Sequence, residues 1–318
     1  MIDFYRLIKD NSKIPKILGS FAFFCISYIL YILITTPLAD GYELSIYNAY
    51  PIYFWFAIIL SLFSGILILI HQSLNKKTNW WKLGFIIIFI CISLLILTHS
   101  LRGYPLSNPS DLNYQHRLTE NILNNGYISD NNFYPMMHIL TSNFIEITSI
   151  KEKASVDIIT ITLFFLFIIS FYLLSKKITE SKKKGLIVLS FASIPIFQMS
   201  LIYYHPSGTS ILFFPLIIFL FHQIHRFIFL KVKFFIILLL FIFFITFFHP
   251  VTSIFLIITF LSYGFANYFY KIFINKKIYN LWGNYVYITL ISIISFIIWY
   301  SSFSVFRPAI IYFWKVIV

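Results

Sequence analysis

Charge is scarce in this chain: Asp, Glu, Lys and Arg make up 11% of the 318 residues, and only 11 residues are acidic. Soluble domains average roughly a quarter charged residues, so a water-covered globular surface is excluded. Cysteine is almost missing. Cys25 and Cys91 both fall inside long apolar runs, which leaves no disulfide framework or metal-thiolate set to read and makes both small packing residues. The formal charge of +13 is not gathered on a surface that a nucleic acid could use, because it alternates from loop to loop along the chain.

What the chain has instead is apolar length. Hydrophobic residues make up 59% of it, and its mean hydropathy is +0.85. At about 20 apolar residues per membrane crossing, the runs predict an all-α polytopic membrane protein of about nine transmembrane helices: 17–36, 52–72, 83–101, 154–175, 185–204, 208–222, 234–248, 251–270 and 285–303. The first follows a basic leader but is longer than a signal-peptide core, and it reads as a retained helix. Residues 1–82 then form a leader and a two-helix hairpin, and 83–318 a second transmembrane module. After the ninth run, 11 residues from Pro308 make about 16 Å of helix at 1.5 Å per residue, too little for another crossing.

One set of loops holds 18 of the 24 basic residues and three acidic ones, a balance of +15; the other set balances at −2. The positive-inside rule therefore places the protein in the cell membrane as a multi-pass chain, with its N-terminus cytoplasmic and loop 102–153 outside. Within that loop a 34-residue polar stretch, Arg102 to Pro135, concentrates Asp111, His116, Arg117, Glu120 and Asp130. Residues 112–123 are helix-compatible, with Leu112, Thr119 and Leu123 along one stripe and Gly126 as terminator. Residues 136–150 place Met136, Leu140, Phe144, Ile147 and Ile150 on another stripe, as for a helix lying in the membrane interface. The earlier outer loop, PLADGYELSIYNAYP, suits Tyr42, Tyr47 and Tyr50 either as anchors at headgroup level or as the lining of a substrate groove.

The candidates for chemistry follow from position. Asp111, at the start of the loop helix, suits either an N-cap or a general base for an acceptor hydroxyl. Arg117, with His116 beside it, suits phosphate oxygens. HPSGTSILFF at 205–214 and HPVTSIFLI at 249–257 repeat His-Pro and then Thr-Ser-Ile. The repeat is an ordinary helix-start signal, or else two helix starts turned on one external anion. With Gln198 and Tyr204, the outward histidines His99, His116, His138, His205 and His249 suggest a polar pocket in the outer leaflet.

DLNYQH followed by YPMMH resembles the Asp-x-x-Tyr-x-His and Tyr-Pro-x-x-His elements in the first large outer loop of C-type (GT-C) membrane glycosyltransferases. The segments GYELSIYNAYP and HPVTSIFLI resemble archaeal multi-pass proteins of that kind. The resemblance implies inverting transfer of a sugar from a polyprenyl-phosphate donor, held among membrane lipids, to an acceptor of unassigned identity on the outer face. Asp111 would be the catalytic base. His116, Arg117, Lys151, His205 and His249 would bind the phosphate, and Tyr114, Tyr134, His138, Gln198 and Tyr204 would line the substrate. Asp111 has no acidic neighbour, so the cofactor is unassigned and a divalent metal remains open. The rival expectation is a non-catalytic transporter, lipid-handling protein or structural subunit of a surface-polymer assembly.

Overall fold

The structure, a computed structural model, describes residues 13–41, 43, 45–75, 79–103, 109–194, 205–224, 231–274, 282–303 and 308; within these ranges, side chains are described except at 109–113, 231, 267, 270–272, 274 and 282–285. The described residues form helices and connecting turns with no strand among them. Five helices are long and apolar enough to cross a membrane: Lys13–Thr35, Ile52–Leu74, Trp81–Arg102, Glu152–Thr179 and the stretch Pro206–Ile224. Shorter apolar helices cover Val232–Phe248, Pro250–Ala266 and Val286–Ser302. The chain divides into two compact units, one of residues 1–112 and 151–204, the other of 113–150 and 205–318.

In the first unit α1 (Lys13–Thr35), the short α2 (Ile46–Ala49), α3 (Ile52–Leu74), α4 (Trp81–Arg102), α7 (Glu152–Thr179) and α8 (Lys182–Ala192) pack together. Ala22, Cys25, Ile26, Ile29 and Leu33 recur at three- and four-residue spacing along α1 and meet Phe54, Ala57 and Ile58 of α3 and Ile87 and Cys91 of α4. Lipid tails are as apolar as these side chains, so close packing rather than water exclusion holds helices together here. Glycine supplies the closeness. A Cβ added to Gly84 would stand 2.8 Å from the Gly65 carbonyl oxygen, and one on Gly65 would stand 3.0 Å from that of Gly84, so the backbones of α3 and α4 touch. Both cysteines are buried and unbridged.

At the far end of α4, Arg102 fastens the preceding loop. Its Nε donates to Glu43 Oε2 at 3.1 Å, its second amino group pairs with Glu43 Oε1, and its remaining amino group donates to the Pro37 carbonyl. Tyr50 is buried rather than displayed at the interface, and its hydroxyl donates to the Thr98 carbonyl at 3.2 Å. Tyr47 is exposed, while Tyr42 lies outside the described residues.

The second unit holds most of α5 (Pro109–Asn125), with α6 (Pro135–Thr148), α9 (Pro206–Leu212), α10 (Phe214–Ile224), α11 (Lys231–Phe248), α12 (Pro250–Ile274) and α13 (Trp282–Ser302). Hydrogen bonds cross between its helices. Ser210 and Thr252 hydroxyls meet at 2.6 Å, Tyr300 donates to the Thr246 carbonyl at 2.8 Å, and His222 meets Tyr263 at 3.0 Å. The Trp299 indole donates to the Phe133 carbonyl at 3.3 Å.

Helices α5 and α6 both lie within the long loop, and α5 starts earlier than its sequence reading. Helix α5 begins at Pro109, so Ser110 and Asp111 sit inside its first turn rather than capping it. Proline tolerates the first helical position because the missing N–H has no partner there. Gly126, at φ 71, ends the helix, its N–H on the Ile122 carbonyl at 2.9 Å. In α6 the buried face is Pro135, Met137, His138, Thr141 and Ser142, while Ile147 is fully displayed. Of the stripe read from sequence, Met136, Leu140, Phe144 and Ile150 are half-buried and Ile147 is exposed, beside exposed Asn143, Glu146 and Thr148. The helix turns His138 inside, where it finds hydrogen bonds.

Candidate functional site

Proline at the first position of α6 and the turn before it deliver Tyr134 and His138 to different surroundings. His138 is fully buried between Gln115 Oε1, 2.6 Å from Nε2, and Asn132 Oδ1, 3.1 Å from Nδ1. Burial pushes its imidazole down to about 4, so the ring is neutral at physiological pH. A neutral ring offers one donor and one acceptor. With the Asn132 amide turned, Nε2–H donates to Gln115 and Asn132 Nδ2 donates to Nδ1. That also satisfies Asn132 Nδ2, which is otherwise buried without a partner among the described residues. His138 thus ties α5 to α6 by hydrogen bonds, with its ring buried.

Tyr134 faces the other way, with its ring centroid 5.1 Å from that of His249. His249 sits in the break between α11 and α12, and its Nδ1 is buried without a hydrogen bond among the described residues. Burial, and then the proximity of His205, hold His249 below the ordinary histidine range. His205 caps α9: its Nδ1 is 2.6 Å from the Ser207 hydroxyl and 3.4 Å from the Ser207 N–H that donates to it. An Nδ1 accepting at the cap leaves the ring proton on Nε2. Burial also raises the Tyr134 phenol above its usual value, with Tyr114 contributing. Tyr114 is half exposed, and its hydroxyl donates to the Asn131 carbonyl at 3.1 Å, pinning the 126–134 turn to α5.

The second unit therefore gathers Tyr134, His205 and His249 around one polar spot, with Tyr114 close to Tyr134. Arg117 is exposed on α5 and His116 half-buried. Lys151 is exposed at the start of α7 and His99 lies near the end of α4, both in the first unit. The Asp111 side chain and both Gln198 and Tyr204 lie outside the described residues. No group of three or more His, Cys, Asp or Glu side chains suited to a metal ion occurs among the described residues.

Gln115, Asn132 and Asp157 were not singled out from sequence. Gln115 follows Asp111 by four positions inside the DLNYQH motif, a spacing that shares one helix face, and this was the available signal. No protein-family model, curated protein or solved structure matches the chain.

Proposed function

We propose that the chain is a membrane glycosyltransferase of the GT-C-like inverting kind, with about nine spans and its long loop on the outer face, moving a sugar from a polyprenyl-phosphate donor to an acceptor hydroxyl. The observation behind this reading is the meeting of Tyr134, from the Tyr-Pro-x-x-His element, with His249, from the second His-Pro helix start. Two of the motifs on which the resemblance rests are far apart in sequence and adjacent in space.

In this reaction the acceptor oxygen bonds to the anomeric carbon as the bond from that carbon to the phosphate oxygen breaks. Asp111, in the first turn of α5, takes the acceptor proton as general base. Negative charge grows on the departing phosphate, where fixed donors are most effective. Arg117 supplies the positive charge and His116 stands beside it. His249, which burial and then the nearby His205 hold below the ordinary histidine range, and His205 act as hydrogen-bond donors to the leaving phosphate. Tyr134 and Tyr114 present ring faces to the sugar, while His138 holds the two loop helices in place.

The test is transfer from a synthetic polyprenyl-phosphate sugar by the wild type, Asp111→Asn and His249→Ala. The expected loss for removing a general base is about 100-fold or more, with a smaller loss for His249→Ala. Equal rates for wild type and Asp111→Asn would remove Asp111 from the mechanism. The second reading, transport or lipid handling without chemistry, draws on Asp157, a buried acidic residue inside the apolar helix α7. Ionisable groups in such positions often mark substrate paths. It predicts binding of the lipid-linked sugar without turnover.

A further inference from the structure

Polar atoms that this site does not use gather where α4 and α7 pack together in the first unit. Asp157 stands five residues into α7 and is 1% exposed, yet its Oδ1 has no hydrogen-bond partner among the described residues. Thr160, about one turn deeper on the same face and 5% exposed, leaves its Oγ1 equally unmatched. Ser100 Oγ on α4 is a third such atom, and it lies close enough to act on the Asp157 carboxyl. Helix α7 runs 28 residues, about 42 Å at 1.5 Å per residue. The hydrocarbon core is about 30 Å thick, so Asp157 falls near its margin, within reach of water from one end.

The cations that face this carboxyl are engaged elsewhere. Lys153, one turn earlier on α7, acts on it through space but makes no ion pair with it. Its ammonium instead donates to the Ser100 carbonyl at 3.3 Å. That carbonyl is among the last of α4, where the helix dipole already favours a positive charge. His99 lies beside Lys153, and Arg102 is held by Glu43. Lys151 and Glu152 stand at the start of α7. On α8, the other helix packed against α7, the charged groups are Lys182, Lys183 and Lys184, at the opposite end of the span. A carboxylate withdrawn from water with neither an ion pair nor a full set of hydrogen bonds is strongly disfavoured, and such a group neutralises instead.

We propose that Asp157 is a proton-binding site, neutral in the resting protein, which exchanges its proton with water entering along Ser100 and Thr160. The proton comes from solvent and adds to one carboxylate oxygen; no other bond changes. The protonated acid becomes a donor, and the two hydroxyls beside it can then accept. Buried polar atoms of this kind are the usual hosts of internal water. This inference is independent of the sugar-transfer reading and survives its failure.

The experiment is infrared spectroscopy of the full chain in lipid bilayers at neutral pH, comparing wild type with Asp157→Asn, Asp157→Glu and Lys153→Met. The expected result is a protonated-carboxyl C=O band that shifts in heavy water, vanishes in Asp157→Asn and returns displaced in Asp157→Glu. Removing the neighbouring cation in Lys153→Met should let the band persist to higher pH than in wild type. Asparagine mimics the protonated acid in shape and charge, so Asp157→Asn should also melt close to wild type. The absence of the band in wild type, its survival in Asp157→Asn, or an Asp157→Asn protein that does not fold would each overturn the proposal.

Discussion

The two units handle polar groups inside an apolar chain with different emphasis. In the second, side chains on different helices close on one another: His138 with Gln115 and Asn132, Ser210 with Thr252, and Tyr300 with the Thr246 carbonyl. In the first, the helices approach through bare backbone at Gly65 and Gly84, while among the described residues Ser93, Ser100, Asp157 and Thr160 keep unmatched polar atoms inside. The contrast is one of degree, since His249 Nδ1 is also unmatched in the second unit and Tyr50 reaches the Thr98 carbonyl in the first. Close backbone contact holds helices together without requiring every polar atom to be matched.

Acidification should separate the two most strongly. Unfolded His138 takes up a proton near its ordinary value of 6.5, whereas the folded imidazole resists down to about 4. The unfolded state therefore binds more protons across that interval, and the stability contributed by the neutral ring, fully present above pH 6.5, is lost as pH falls toward 4. At 1.36 kcal/mol per pKa unit the loss is about 3 kcal/mol. Melting curves against pH should show this slope in wild type and not in His138→Gln. An unchanged slope in the variant would assign the acid sensitivity to another group.

The next largest effect should come from Gly84→Leu, which drives a side chain into the Gly65 carbonyl. Overpacking of this kind costs about 1–3 kcal/mol, read as a lower melting temperature in detergent. Wild-type stability would mean that α3 and α4 can separate without penalty. The smallest effect is expected for Glu43→Gln, which loosens the loop from Arg102 in a partly exposed pair. Such pairs contribute about 1 kcal/mol or less, so the clearer readout is faster proteolysis within residues 37–50, with high salt bringing wild type toward the variant by screening the pair.

The long helices were legible because hydrophobic length alone sets them. The run at 52–72 became Ile52–Leu74, and 83–101 became Trp81–Arg102. The buried face of α6 was not legible, since its apolar stripe was read as interfacial, while His138, Thr141 and Ser142, which the protein buries, fall off that stripe. Asp111 read as a cap because Pro109 was placed outside the helix instead of at its first position. For the site, Tyr134 and His249 could be nominated from motifs, but their adjacency depends on chain pairing that no local pattern encodes. Asp157 escaped notice because the surrounding run is apolar enough to absorb one acidic residue in any hydropathy average.

The buried polar positions of α6 carry a consequence for anyone who would make this protein soluble. Redesign for aqueous expression replaces the apolar residues that a helix displays. On α6 that reaches the exposed Ile147 and must stop short of His138, Thr141 and Ser142, which are polar yet buried. Hydrophilicity alone would mark those three as free to change, whereas their burial marks them as fixed.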